Sequence, residues 1–181
     1  MRVIAGSLKG RRLKTPDWEG LRPTSDKLRE TLFNILAPRI AGARVLDAYA
    51  GTGALGIEAL SRGATHATFV EGEAGAVTAI LQSLARTSLR EHGTVIRGRL
   101  PGALATLNGP FDLILLDPPY NDPNAEETLL RVDSLLAEGG TVVYEHASRY
   151  NPPQRPASLA LTDRRVYGDT AIAFYRCQEG E

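Results

Sequence analysis

The chain has 181 residues, 43% of them hydrophobic and 23% charged, with 21 basic and 21 acidic side chains. That length suits one compact domain with a real core and is too short for two. No run approaches the roughly 20 apolar residues of a membrane span. The first residues lack the apolar stretch of a secretory leader, and the single Cys177 excludes an internal disulfide or thiolate metal cluster. A cytoplasmic protein with no membrane or metal partner is expected. The zero net charge conceals an asymmetry: residues 1–44 carry ten Lys/Arg against four acids, leaving an acidic remainder. A basic end on an acidic body suits a molecule of which one edge meets phosphate.

In chain order, two short runs at 2–5 and 11–15 flank Gly6-Ser7-Leu8-Lys9-Gly10 and read as a small hairpin or extended arm. Arg22-Pro23-Thr24-Ser25-Asp26 opens a helix capped by Thr24 or Ser25, with Leu28, Leu32, Ile35 and Leu36 at helical spacing. From residue 44 the pattern alternates. Strands are predicted at 44–49, 67–71, 93–97, 111–116 and 141–145, and helices at 54–62, 74–88, 101–107 (weak) and 125–137. The last helix should stop at Gly139-Gly140. Phe111-Asp112-Leu113-Ile114-Leu115-Leu116 is apolar enough for a central strand buried on both faces. Two final runs, 159–167 and 170–176, meet at Gly168-Asp169 as an antiparallel hairpin. The expectation is a single α/β domain over 1–181, doubly wound, with a basic arm and helix in 1–43 and the core in 44–181.

Two constellations carry chemistry. Gly51-Thr52-Gly53-Ala54-Leu55-Gly56 follows the first strand and opens a helix, and Glu71 lies twenty residues past Gly51 at the end of the second strand. Glycines there allow close backbone approach to a ligand, and the acid can accept both hydroxyls of a ribose. The pattern serves a dinucleotide and S-adenosylmethionine equally well. Asp47, four residues before Gly51, tilts the choice. A carboxylate there would repel a pyrophosphate but attract the cationic amino-acid end of S-adenosylmethionine.

The second constellation is Asp117-Pro118-Pro119-Tyr120, at the end of the fourth strand. Two prolines end the strand and stiffen the turn. The Asp117 carboxylate and the Pro118 carbonyl are then presented as two adjacent acceptors for the two hydrogens of an exocyclic amine. Holding both would orient the nitrogen for attack on a sulfonium methyl, by positioning and electrostatics. Tyr120 is placed to stack on an extruded base. His66, His92 and His146 show no metal-ligand spacing. Trp18 reads as packing for the arm, and Tyr167 as a candidate for the rim of the site.

Several segments together resemble the bacterial methyltransferases that modify guanine N2 in small-subunit (16S) ribosomal RNA. They are residues 45–64 (VLDAYAGTGALGIEALSRGA), Arg22-Pro23-Thr24 with Arg29-Glu30-Thr31-Leu32-Phe33-Asn34, Phe69-Val70-Glu71, Asp117-Pro118-Pro119-Tyr120, and Arg165-Val166-Tyr167-Gly168-Asp169-Thr170. The resemblance covers nearly the whole chain, including Gly10-Arg11-Arg12-Leu13. It implies a class I, Rossmann-like methyltransferase fold: a seven-stranded, mostly parallel sheet with a C-terminal antiparallel hairpin and a small basic N-terminal extension. It implies S-adenosylmethionine held by Asp47, Ala50, Gly51, Gly53 and Glu71, and a target base at Asp117, Pro118, Pro119 and Tyr120. It further implies contact with 16S ribosomal RNA, in an assembling or assembled small subunit, through Lys9, Arg11, Arg12 and Arg22. One segment departs from the family's pattern. Where many relatives have an acid or amide to meet adenine, this chain has Ile96-Arg97-Gly98-Arg99-Leu100, and arginine cannot accept a hydrogen bond. The same chemistry on adenine N6 or a protein amide, an oxidoreductase, and a catalytically silent RNA-binding protein stay open as alternatives.

Overall fold

The computed structural model describes residues 1–15 and 24–178. Arg22 and Trp18, singled out above, lie outside the described residues. The sheet is built outward from its most apolar strand. β4 (Phe111–Leu116) runs parallel to β1 (Arg44–Asp47), with Leu46 opposite Ile114. On its other side it runs parallel to β5 (Leu136–Ala147), with Leu116 opposite Tyr144. β2 (His66–Glu71) and β3 (Gly93–Arg97) extend the parallel part beyond β1. β7 (Thr170–Cys177) adds antiparallel to β5, and β6 (Leu159–Tyr167) pairs antiparallel with β7. The order is β3-β2-β1-β4-β5-β7-β6, the expected seven-stranded sheet with a reversed final hairpin.

Alternation along the strands sorts side chains onto two faces. Val45, Ala67, Phe69, Leu113, Leu115, Val143 and Ile172 pack under α1 (Asp26–Leu36), α2 (Ala54–Ser61) and α3 (Ala74–Arg86). Leu46, Val70, Ile114, Leu116, Val142 and Tyr144 pack under α4 (Ala125–Arg131) and short 3-10 turns. Both faces are covered, which is why these strands read as apolar runs rather than alternating ones. Among the described residues no helix is long and apolar enough to cross a membrane.

The helix predicted over 125–137 is shorter. It ends at Arg131, passes through a 3-10 turn over Val132–Leu135, and β5 already begins at Leu136. Gly139-Gly140 is therefore not a helix stop but part of a bulge. The register on β4 shifts between Phe111, opposite Leu136, and Leu113, opposite Thr141. Gly140 is needed there because a Cβ would lie 3.0 Å from the Asp112 carbonyl and 2.9 Å from that of Ala137. Strand pairing, a tertiary effect, set this boundary. The weak helix at 101–107 is likewise a 3-10 turn, Gly102–Thr106.

The N-terminal arm folds back on itself, with Arg2 bridging Arg12, and buries Val3 and Leu13 in the core under α1 and α2. Two buried charges hold it. The Glu58 carboxylate on α2, 1% exposed, accepts hydrogen bonds from Ile4 N at 2.9 Å and Ala5 N at 3.0 Å, and from Arg62 Nε at 2.9 Å. The Arg29 guanidinium on α1, fully buried, donates to the Arg2 carbonyl and to Asp26. Removing the carboxylate leaves two arm N–H groups and an arginine without their acceptor, a loss of about 3–5 kcal/mol for a buried pair. Glu58→Ala should lower the melting temperature and expose the Lys9–Lys14 segment to trypsin. Unchanged tryptic resistance would show that the arm is held by its apolar residues alone.

Candidate active site

A cleft of about 1290 Å³ opens at the C-terminal ends of the parallel strands, where the strand order reverses between β1 and β4. Open α/β sheets bind ligands at this position. Ala50 and Gly51 line the cleft, as do Glu71, Gly98, Leu100, Asp117, Pro118, Pro119 and Tyr120. Gly53 does not. It is a turn residue at the N-cap of α2, at φ 77°, a conformation that favours glycine, and its N–H donates to the Ala50 carbonyl at 2.7 Å.

The Glu71 carboxylate ties two loops together. Oε2 accepts from Gly51 N at 2.7 Å and Oε1 from Glu73 N at 2.9 Å. Each oxygen keeps a lone pair for a further donor. Asp47 lies under the glycine turn, 1% exposed, and is not among the residues lining the cleft. Its Oδ2 accepts from Gly56 N at 3.0 Å, whereas its Oδ1 is buried without a hydrogen-bond partner. Burial pushes its pKa up to about 7. The Gly56 N–H opposes that rise, and the charges of Asp117 and Glu71 add to it. Beyond β3, Arg99 pairs with Glu73 at 3.0 Å, both exposed, and Gly98, Arg99 and Leu100 line the wall of the cleft.

Strand alternation puts Asp117 on the same face as Leu113 and Leu115, and Glu145 on the same face as Val143. Since Leu116 pairs with Tyr144, the two acids stand side by side one residue further along. The start of α1 meets them there. Ser25 caps the helix by accepting from Leu28 N, which frees Thr24 for another role. The Thr24 hydroxyl contacts Asp117 Oδ2 at 3.0 Å and Glu145 Oε2 at 3.4 Å. Burial pushes Asp117 up to about 6, against hydrogen bonds from Thr24 and from Glu145 that favour its charged form. Tyr120, 38% exposed, is pinned at the rim by a hydrogen bond between its hydroxyl and that of Thr170, and Tyr167 lines the same rim.

The structure thus brings Ala50, Gly51, Glu71 and residues 117–120 to one cleft, with Asp47 beneath it. Lys9, Arg11 and Arg12 are exposed on the arm, away from the cleft lining. Sequence reading missed Thr24 and Glu145 as site residues. The signal was present in Glu145, an acid directly after the run Val142-Val143-Tyr144. Among the described residues no cluster of three or more His, Cys, Asp or Glu could hold a metal ion.

Strand order, reversed hairpin and an acid-flanked glycine turn at the switch point together define a class I methyltransferase fold. The family model described as "Conserved hypothetical protein 95" matches residues 1–176. Ribosomal RNA small subunit methyltransferase D of Escherichia coli is 38% identical over 178 residues, covering 97% of this chain and 89% of that one. The protein of the same name from Haemophilus influenzae is 35% identical over 185 residues, with 97% and 93% covered. The solved structure of the Escherichia coli protein yhhF superposes with a TM-score of 0.88 at 36% identity, covering 98% of each chain. The chain belongs to this family.

Asp47 also makes a prediction about stability. An acid whose folded pKa exceeds its unfolded value binds more protons when folded, so its contribution to stability is present at low pH. That contribution is lost as pH rises from the unfolded value toward about 7. A shift of this size corresponds to a few kcal/mol. Asp47→Asn should therefore melt higher than the parent protein at about pH 8, with the gain shrinking toward about pH 5. A constant difference across that range would mean the Asp47 carboxyl is not the strained group.

Proposed function

We propose that the chain transfers a methyl group from S-adenosylmethionine to the exocyclic N2 of a guanine in 16S ribosomal RNA, in an assembling or assembled small subunit. The observation that carries the reading is that Asp117-Pro118-Pro119-Tyr120 opens on the same cleft as Gly51 and Glu71. Relatives named for small-subunit ribosomal RNA methylation, alike over nearly their whole length, support it.

When bound, S-adenosylmethionine supplies a methyl on a sulfonium, electrophilic enough for a weakly nucleophilic amine. The donor set fits that group. Glu71 keeps lone pairs for ribose hydroxyls, and the unpartnered Oδ1 of Asp47 suits a cationic amino group. Ala50 and Gly51 offer backbone without bulk, while Gly98 and Leu100 offer backbone and an apolar surface to adenine. At the other end, Asp117 and the Pro118 carbonyl take the two hydrogens of the exocyclic amine and aim its nitrogen. With its raised pKa, Asp117 can also accept the proton that the nitrogen sheds on methylation. Tyr120, pinned by Thr170, supplies a ring for the base. Exposed Lys9, Arg11 and Arg12, with Arg22, grip phosphates, which positions the RNA without reading its sequence.

Nucleoside mapping of 16S RNA from cells lacking the gene should show the loss of one N2-methylguanosine, restored by the purified protein. Loss of N6-methyladenosine instead would overturn the choice of base. Asp117→Ala should lower transfer at least about 100-fold while S-adenosylmethionine still binds, measured by single turnover and calorimetry. Near-normal turnover would remove Asp117 from the reaction. Arg11→Ala with Arg12→Ala should weaken RNA binding and reduce the salt slope by about two. An unchanged slope would mean that the arm does not touch phosphate.

A further inference from the structure

Glu145 is a second carboxyl group in the acceptor half of the cleft, and the chemistry described so far gives it no task. It is 9% exposed, lines the cleft, and stands beside Asp117 under one bridging hydroxyl, that of Thr24. A buried acid next to another acid is costly unless it serves as an acceptor for something. Positioning Asp117 does not need it, since Thr24 already donates to that carboxylate at 3.0 Å.

The Watson–Crick edge of guanine matches two adjacent acceptors. It carries adjacent donors, N1–H and the N2 amino group. An adenine edge sets an amino donor beside the bare N1 acceptor. Two neighbouring carboxylates match the first edge and oppose the second. We propose that Glu145 is the specificity residue of the acceptor site: it accepts the N1–H of the target guanine while Asp117 accepts one N2–H. This inference rests on the guanine-N2 reading above. A guanine offers two adjacent N–H groups, one for each carboxylate. Thr24 keeps the two acids in register, which gives this residue a role at the base.

The test uses 2-aminopurine, which keeps the exocyclic amine at C2 but bears a lone pair at N1 in place of N1–H. RNA substrates carry either guanosine or 2-aminopurine riboside at the mapped position, and kcat/KM is measured for both. The intact protein should favour guanosine by about 100-fold, because the analogue turns a lone pair toward a buried carboxylate. Glu145→Gln, whose amide can accept from guanine N1–H or donate to the analogue's N1, should bring the ratio within about tenfold. The intact protein's own ratio decides the matter even if the variant folds poorly. Equal rates on the two substrates would overturn the role of Glu145 while leaving N2 methylation standing. A variant that slows both substrates alike, at an unchanged ratio, would also overturn it, since Glu145 would then only position Asp117. Failure of the intact protein to form N2-methylguanosine at all would sink the guanine-N2 reading itself.

Discussion

Four carboxyl groups, Asp47, Glu71, Asp117 and Glu145, lie at or near the C-terminal ends of four neighbouring strands on one face of the sheet, and the rest of the site is arranged around that crowding. Parallel strands force it. With β2, β1, β4 and β5 adjacent and in the same direction, their C-terminal ends form one edge, and alternation sends all four side chains toward the α1–α3 face. Like charges this close raise one another's pKa, as Asp117 and Glu71 do for Asp47. Each acid has a different compensation. Glu71 takes two backbone N–H groups, Asp47 takes one and stays partly protonated near neutral pH, and Asp117 and Glu145 share the Thr24 hydroxyl.

Such an edge is costly in the free protein and useful to ligands rich in donors. Hydroxyls, an ammonium group and base N–H groups are all donors, and the cleft presents acceptors to each. Stability given up at Asp47 is therefore recoverable as binding energy, the usual trade at a functional site. The orphaned Oδ1 marks where that trade is steepest.

The basic arm is the electrostatic counterpart. Its cations would be drawn into the acidic cleft if the arm were free. Glu58 and Arg29 hold its backbone onto α2 and α1 instead, so Lys9, Arg11 and Arg12 stay exposed, off the cleft lining. The Arg29-Glu30-Thr31-Leu32-Phe33-Asn34 segment has much of its explanation here. Arg29 anchors the arm, Leu32 and Phe33 fill the core, and Asn34 accepts from Arg62 at 3.4 Å. A segment that in sequence only marked the family resemblance is largely a docking device for the arm.

Most of the strands, the glycine turn and the Asp117-Pro118-Pro119-Tyr120 corner were legible in the sequence, because each is written in local terms: apolar runs, turn residues and prolines. Tertiary pairing decided what local terms cannot. It ended α4 early and turned Gly139-Gly140 into a bulge, because β4 and β5 had to match register. It moved Gly53 from the cleft wall to the turn behind it and placed Asp47 below the floor. It also joined Thr24, Asp117 and Glu145, separated by 93 and 121 residues along the chain from Thr24. Sequence determined which chemical groups were available and on which kind of element. Only the strand order and the parity of each strand end decided which groups would meet, since neighbours across a parallel sheet are distant along the chain.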